Sequence, residues 1–378
     1  MGRIMVVCGE TSGDIHAARV VREIKKLNSN IEFTAMGSEA LKNEGAEILI
    51  DPLDVSSIGF LESLKNLKEH LAHIRLLKKH MREKKPDILF LVDYSGFNML
   101  MARIGKKMDI PVVDYFPPTA WIWGEWRAKW MARYDAVIAA TLPMESEIYK
   151  RAGAEVEFVG HPLLDIVGTQ KTNAEIYNEF QISKNHQVIA LMPGSRKSEI
   201  DRLAPVIFEV AEKLQKDNPN YQFILPLAPG IDKDYLADIA SNYNLILKIV
   251  RDSSYEIMKV ADFLITASGT ATLEALIMET PMIALYETGW STYKLGKKIM
   301  KTDYIAMPNI IAGTEVVPEF VQDEIDVKNI YDEVKYFLKK EYLLADKKKK
   351  LKIIKDKLGE KGAVKKTAEL VLEVGGLN

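Results

Sequence analysis

Cysteine is almost absent. Cys8 is the single one in 378 residues, so no intrachain disulfide forms and a reducing compartment is expected. It lies in the apolar run Ile4-Met5-Val6-Val7-Cys8, where a thiol packs as a small core residue rather than acting as a nucleophile. Long hydrophobic runs are missing too. No stretch approaches the ~18 uncharged apolar residues of a membrane span, and the first apolar run is too short for a signal peptide. A cytoplasmic protein is expected, soluble or touching a membrane only from outside. Net charge is small, −2 at neutral pH, which argues against a general nucleic-acid binder. The six histidines (16, 70, 73, 80, 161 and 186) have no ligand spacing, so no metal and no cofactor are expected. Neither a G-x-S-x-G nucleophile signature nor a solenoid-length repeat occurs.

What is present is alternation. At 47% apolar composition the chain exceeds the size of one growing core, so two domains are expected. Short β-branched runs alternate with longer helical patterns, the signature of an α/β fold with parallel sheets. Strands are predicted over 3–8, 31–36, 87–92, 112–116, 136–139 and 156–159. Gly160-His161-Pro162 then breaks the pattern, and a second series follows over 187–192, 222–227, 245–249, 263–266 and 282–286. The reading is two doubly wound, Rossmann-like domains with the ligand in the cleft at the strands' carboxyl ends. One would span 1–164, joined by a C-terminal helix of about 356–378; the other would span 165–355.

Two Gly/Ser-rich turns carry the strongest chemical signal. Pro193-Gly194-Ser195-Arg196 and Ala267-Ser268-Gly269-Thr270 each end a strand-like run and open a helix-like one. In that geometry backbone N–H groups and the positive end of a helix dipole face an anion. Arg196 adds a bidentate-capable cation, and Glu274 lies where a carboxylate accepts hydrogen bonds from a sugar's adjacent hydroxyls. A diphosphate and a ribose side by side mean a nucleotide.

The first half supplies carboxylates instead. Gly9-Glu10-Thr11-Ser12-Gly13-Asp14 follows the first strand, with Ser12 or Asp14 as helix cap and Glu10 as the functional candidate. Asp93 ends the apolar strand Ile88–Val92, where a shielded carboxylate can serve as a general base or cap the next helix. Pro117-Pro118-Thr119-Ala120-Trp121-Ile122-Trp123, with Arg127 nearby, forms a stiff aromatic wall suited to an amphipathic ligand or to the core. Leu61, Leu64, Leu67, Leu71, Ile74, Leu77 and Met81 make a helical stripe. Between residues 65 and 85 eight lysines and arginines face Glu69 and Glu83, which reads as a solvated basic face or as a surface for anionic lipid. Ile58-Gly59-Phe60-Leu61 would give that surface an apolar lip, and Lys297, Lys298 and Lys301 would extend it.

Taken in order, these segments resemble the lipid-A-disaccharide synthases, glycosyltransferases of the two-Rossmann-domain (GT-B) type. The matching stretches are GETSGD at 9–14, AMGSEALKNEGAEIL at 35–49, IGFLESL at 58–64, VDYSGFN at 92–98 and WIW with Arg127. FVGHPLLD at 158–165, LMPGSRKSEI at 191–200, ASGTATLEALI at 267–277 and TDYIAMPNIIAGTEVVPEFVQ at 302–322 complete them. The resemblance implies a UDP-diacylglucosamine donor, a diacylglucosamine 1-phosphate acceptor, and a β-1,6-linked acylated disaccharide with UDP as products. It implies work at the anionic inner face of the cytoplasmic membrane, and a homodimer with exchanged C-terminal parts by analogy. Asp93 matches the family's essential acid, Glu10 the acid after the first strand, Arg196 the phosphate-loop arginine and Glu274 the acid at the ribose. Asn309 and Gln322 match polar residues of the closing motif, and Ser12 falls with the acceptor side. Ser95 and Gly96 stand where the family commonly has proline and aspartate, and Gly124 stands where an arginine is usual.

The chemistry expected is a single inverting displacement. Asp93 would be the base, with Glu10 second, while Ser195, Arg196 and the helix N-termini would replace a metal ion at the leaving diphosphate. Alternatives are another GT-B UDP-sugar transferase or epimerase, or a non-catalytic nucleotide-sugar or lipid-binding protein.

Overall fold

Both series of strands form parallel sheets. The computed structural model describes residues 2–52, 63–300 and 302–378, without the side chains of 63–68, 291, 292 and 295. The chain forms two compact units, Met1–Asp165 with Leu358–Asn378, and Ile166–Lys357. The lip at 58–61, the side chains of Leu64, Leu67, Lys65 and Lys68, and Lys301 lie outside the described residues.

The first unit holds β1 (Gly2–Cys8), β2 (Ile31–Met36), β3 (Glu47–Ile50), β4 (Ile88–Val92), β5 (Val112–Tyr115), β6 (Ala136–Ala140) and β7 (Val156–Phe158). They make a seven-stranded parallel sheet in the order β3-β2-β1-β4-β5-β6-β7. Helices cover both faces, so β4 and β6 are buried along their whole length and read as continuous apolar runs. On one face Val6, Phe90 and Tyr115 meet Ala17, Val20, Val21 and Ile24 of the helix Thr11–Leu27. The helix Ala363–Val374 closes the same face with Ala368, Val371 and Leu372. Cys8 is buried there; burial pushes its thiol pKa up, so the thiol stays protonated and packs as core.

The second unit holds β8 (Val188–Met192), β9 (Gln222–Leu227), β10 (Leu247–Arg251), β11 (Phe263–Ala267), β12 (Met282–Tyr286) and β13 (Glu319–Val321), in the order β10-β9-β8-β11-β12-β13. Ile189, Leu191, Phe263, Ile265 and Ile283 form its core with Leu203, Ile207 and Phe208 of the helix Lys197–Asp217. Two strands escape sequence reasoning, β3 and β13. Both are short edge strands with partly exposed residues, so they carry little periodic signal. The expected strand at 245–249 is shifted to Leu247–Arg251, while Leu245 packs on the same core just before it.

The basic segment is the helix Ser63–Lys84. Leu77 and Met81 are buried, but Leu71 and Leu76 are exposed at 45% and 47% beside exposed Arg75, Lys79 and Arg82. The stripe is therefore only partly committed to the core.

Each sheet reverses its strand order once, between β1 and β4 in the first unit and between β8 and β11 in the second. At such a reversal the crossing helices diverge to opposite faces and leave a crevice at the carboxyl ends of the strands. Glu10 follows β1, Asp93 follows β4, and the two Gly/Ser turns follow β8 and β11.

Asp114, in the middle of β5, is fully buried and neither carboxylate oxygen has a hydrogen-bond partner among the described residues. Burial pushes its pKa well above the ordinary value, with Asp93 and Glu145 adding to the shift. The folded protein therefore holds this proton where the unfolded chain releases it, and stability drains away as pH rises from about 4. Asp114→Asn should gain stability over the parent progressively as pH rises through that window. Urea midpoints of both proteins across the range test this, and a pH-independent difference would refute it.

Candidate functional site

The second unit contains a cavity of about 660 Å³. Its lining includes Gly194, Ser195 and Arg196 after β8, Ser268, Gly269 and Thr270 after β11, Glu274, and Tyr286 to Thr288 at the end of β12. The six diphosphate candidates and Glu274 thus share one cavity at the strand-order reversal.

The two turns are not equivalent. Gly194 has φ +130°, and a Cβ there would lie 2.7 Å from Cβ of Glu199, so only glycine suits the turn. Glu199 folds back over it: its Oε2 accepts from the amides of Ser195 (3.1 Å) and Arg196 (3.3 Å), and its Oε1 accepts from Arg196 Nη1 (3.1 Å). An internal carboxylate already occupies the anion position that the sequence assigned to a phosphate. The spacing Arg196-x-x-Glu199 is that of a helix-capping glutamate and was legible as such. The second turn differs. The amides of Gly269, Thr270 and Ala271 meet no protein acceptor among the described residues, while the Ser268 amide bonds Leu285 O at 2.7 Å. They open the helix Thr270–Ile277, so the unbonded amides with geometry suited to an anion lie here.

Glu274 sits one turn into that helix and accepts from Tyr255 Oη at 3.0 Å. Burial raises its pKa and the tyrosine bond partly offsets the rise. Tyr255 lies 19 residues upstream and no local pattern points to it.

Gln322 acts on the cavity from behind. Its Oε1 accepts from Thr288 N at 2.6 Å and its Nε2 donates to Thr288 O at 3.1 Å, fixing one wall. Asn309 does not reach the cavity. It is fully buried, with Nδ2 donating to Val317 O (2.7 Å) and Glu319 Oε1 (2.6 Å). Its Oδ1 accepts from the amides of Val316 (2.7 Å) and Val317 (2.8 Å). With every polar atom engaged, it ties the 316–319 segment together and has nothing left for a ligand.

In the first unit the carboxyl ends of β1 and β4 bring Glu10, Ser12 and Asp93 together. Ser12 Oγ donates to Asp93 Oδ2 at 3.1 Å. Asp93 holds a left-handed backbone at φ +43°, and its N–H is anchored on Tyr115 O at 3.1 Å. Burial raises the Asp93 pKa and the Ser12 bond lowers it in part, which suits a proton acceptor. Glu10 is exposed at the N-cap of the helix Thr11–Leu27 and makes no capping bond with its side chain. The expected cap Asp14 turns away: its carboxylate accepts from the amides of Ser38 and Ala40, both at 2.8 Å, and pins the loop after β2. The Tyr94 ring covers Gly9, where a Cβ would stand 2.3 Å from it, and Tyr94 Oη lies 2.7 Å from His70 Nε2. The basic helix therefore touches the acid motif, a contact that no local pattern announces.

The aromatic loop follows β5. Tyr149 Oη donates to Pro118 O at 2.8 Å and fixes the double proline. Trp121 packs on the core, whereas Trp123 is 39% exposed with the Arg127 guanidinium 3.5 Å from its ring centre.

A family profile described as lipid-A-disaccharide synthetase matches residues 4–374. The chain is 36% identical to a lipid-A-disaccharide synthase of Geobacter sulfurreducens over 374 residues, 99% of this chain and 97% of that one. It is likewise 36% identical to that of Nitrosococcus oceani over 369 residues, 98% of this chain and 95% of the other. Among solved structures, a UDP co-structure of S. aureus MnaA superposes with a TM-score of 0.64 at 12% identity, covering 100% and 98% of the two chains. A UDP-GlcNAc-bound UDP-GlcNAc 2-epimerase of Neisseria meningitidis gives 0.61 at 15% (98% and 100%), and Acinetobacter baumannii MurG gives 0.61 at 11% (99% and 100%). These distant likenesses establish the two-unit GT-B fold and no more. The match along nearly the whole sequence goes further: the chain belongs to the lipid-A-disaccharide synthetase family, glycosyltransferases of lipid A biosynthesis.

Proposed function

We propose that the protein transfers a 2,3-diacylglucosamine unit from its UDP derivative to 2,3-diacylglucosamine 1-phosphate, forming a β-1,6 link and releasing UDP. The observation that carries this reading is the second unit's cavity, where unbonded helix N-terminal amides, Arg196 and Glu274 converge on a shape suited to a nucleoside diphosphate. Gly269 to Ala271 and Arg196 receive the diphosphate, and Glu274 receives the ribose hydroxyls. The first unit supplies the acceptor side. Asp93, held by Ser12, takes the proton from the acceptor's 6-hydroxyl as its oxygen attacks the anomeric carbon opposite the UDP. The bond from that carbon to the phosphate oxygen breaks, the UDP anion leaves, and configuration inverts. Glu10 is the second candidate for the base, because it ends the adjoining strand.

We place the enzyme peripherally on the anionic inner face of the cytoplasmic membrane. No helix among the described residues is long and apolar enough to cross a bilayer. The exposed Leu71 and Leu76 of the basic helix, flanked by Arg75, Lys79 and Arg82, suit an interfacial contact.

UDP release measured with donor alone and with donor plus acceptor tests the reaction. Release that requires acceptor and yields disaccharide is expected; turnover of donor alone would indicate an epimerase, and UDP binding without release would indicate a binding protein. Asp93→Asn should lower kcat by about 10²–10⁴. In the parent, kcat/KM should fall on the acid side through a pKa above the ordinary aspartate value, since the base works only when deprotonated. That limb should vanish in the variant, and a retained limb would shift the role to Glu10. Arg196→Gln and Glu274→Gln should each weaken UDP binding about tenfold by calorimetry. Reversing the charges of Lys78, Lys79 and Arg82 should release the protein from anionic vesicles, and unchanged binding would remove this surface from the membrane contact.

A further inference from the structure

Arg127 is held in an unusual state. Its guanidinium lies 3.5 Å from the ring centre of Trp123 and 5.6 Å from that of Trp126. Its Nε is buried with no acceptor, and no carboxylate pairs with it among the described residues. Burial lowers its pKa, yet a guanidinium remains charged at any physiological pH. The protein thus keeps a partly desolvated cation in place, with no carboxylate to answer its charge among the described residues.

The local sequence is built to seat it. Gly124 turns the chain at φ +72°, and the Arg127 amide donates to Gly124 O at 2.9 Å. A Cβ at 124 would lie 3.1 Å from Trp126 Nε1 and 3.4 Å from Arg127 Nε, so the glycine makes room for the stacked arginine. Tyr149, bonded to Pro118 O, anchors the other end of the loop. The loop springs from β5, which pairs with β4, and the amide of Asp93 bonds the last carbonyl of β5. The loop that carries Arg127 and the acid Asp93 thus both follow the carboxyl ends of neighbouring strands in the first unit, the unit to which the reaction proposed above gives the acceptor.

We propose that Arg127, mounted on Trp123 and seated by Gly124, is the clamp for a phosphate monoester, the 1-phosphate of the acceptor sugar. This rests on the reaction proposed above. The planar fork meets two phosphate oxygens at once, and the indole beneath it holds the fork in orientation before the ligand arrives.

The test compares two acceptors in neutral-detergent micelles, diacylglucosamine 1-phosphate and the same sugar with a free 1-hydroxyl. The parent should prefer the phosphate form in kcat/KM by about 10–100-fold, the range of a hydrogen bond to a charged group. Arg127→Gln should raise KM for the phosphorylated acceptor and bring that ratio close to unity. Arg127→Lys, which keeps the charge without the fork, should restore part of it and serves also if the glutamine variant folds poorly. A merely structural role would slow both acceptors alike and leave the ratio intact, which overturns the proposal. Binding to phosphatidylglycerol vesicles separates the other phosphate source. Vesicle binding lost in Arg127→Gln with the acceptor ratio unchanged would assign the site to a lipid headgroup and overturn the proposal as well. A parent inactive with both acceptors would instead sink the underlying reaction.

Discussion

A parallel sheet covered by helices on both faces can bring polar chemistry to solvent only at its ends. Every side chain along β4, β6 and β11 is buried, so charge can emerge only where strands stop and loops begin. The reversal of strand order chooses among those ends, because there the flanking helices part. Glu10 and Asp93 lie on either side of the reversal in one unit, and the turns after β8 and β11 lie on either side of it in the other. The positions of the candidate residues follow from topology before any ligand is considered.

That constraint also explains how two chemically different sets of strand ends arise from one architecture. In the first unit the strand ends carry acids and a stacked arginine; in the second they carry glycine, serine and threonine with amides facing out. Glu199 complicates the second pattern, since it supplies the first turn with an anion from within. The division of labour between the turns is then physical: one is capped by its own helix, the other is left open.

Most of the sheet strands were legible because buried parallel strands read as uninterrupted apolar runs between turn residues. Edge strands were not: β3 and β13 bury too little to show a pattern. At the sites, residue type and position pointed correctly to Gly194, Arg196, Ser268 and Glu274 as neighbours, since strand-turn-helix geometry is local. What sequence could not supply was who bonds whom. Asp14 and Asn309 read as candidate cap and ligand, yet each is spent on backbone amides of a loop distant in sequence or just beyond its helix. Tyr255 beneath Glu274 and His70 against Tyr94 are tertiary contacts with no periodic trace, whereas Trp123 under Arg127 is a local contact four residues apart.

The helix Ala363–Val374 has a consequence for how the protein comes into being. Ala368, Val371 and Leu372 complete a core whose other members, such as Val6 and Phe90, are synthesised first, and all of Ile166–Lys357 is made in between. The later unit is contiguous and can close on the ribosome as soon as it emerges. The earlier one waits, with part of that sheet face covered only by the helix Thr11–Leu27 and the rest open, until synthesis has passed residue 372. A chain arrested before that point carries a finished second unit and an unsealed first one, so damage at the carboxyl end surfaces as misfolding of the amino-terminal half.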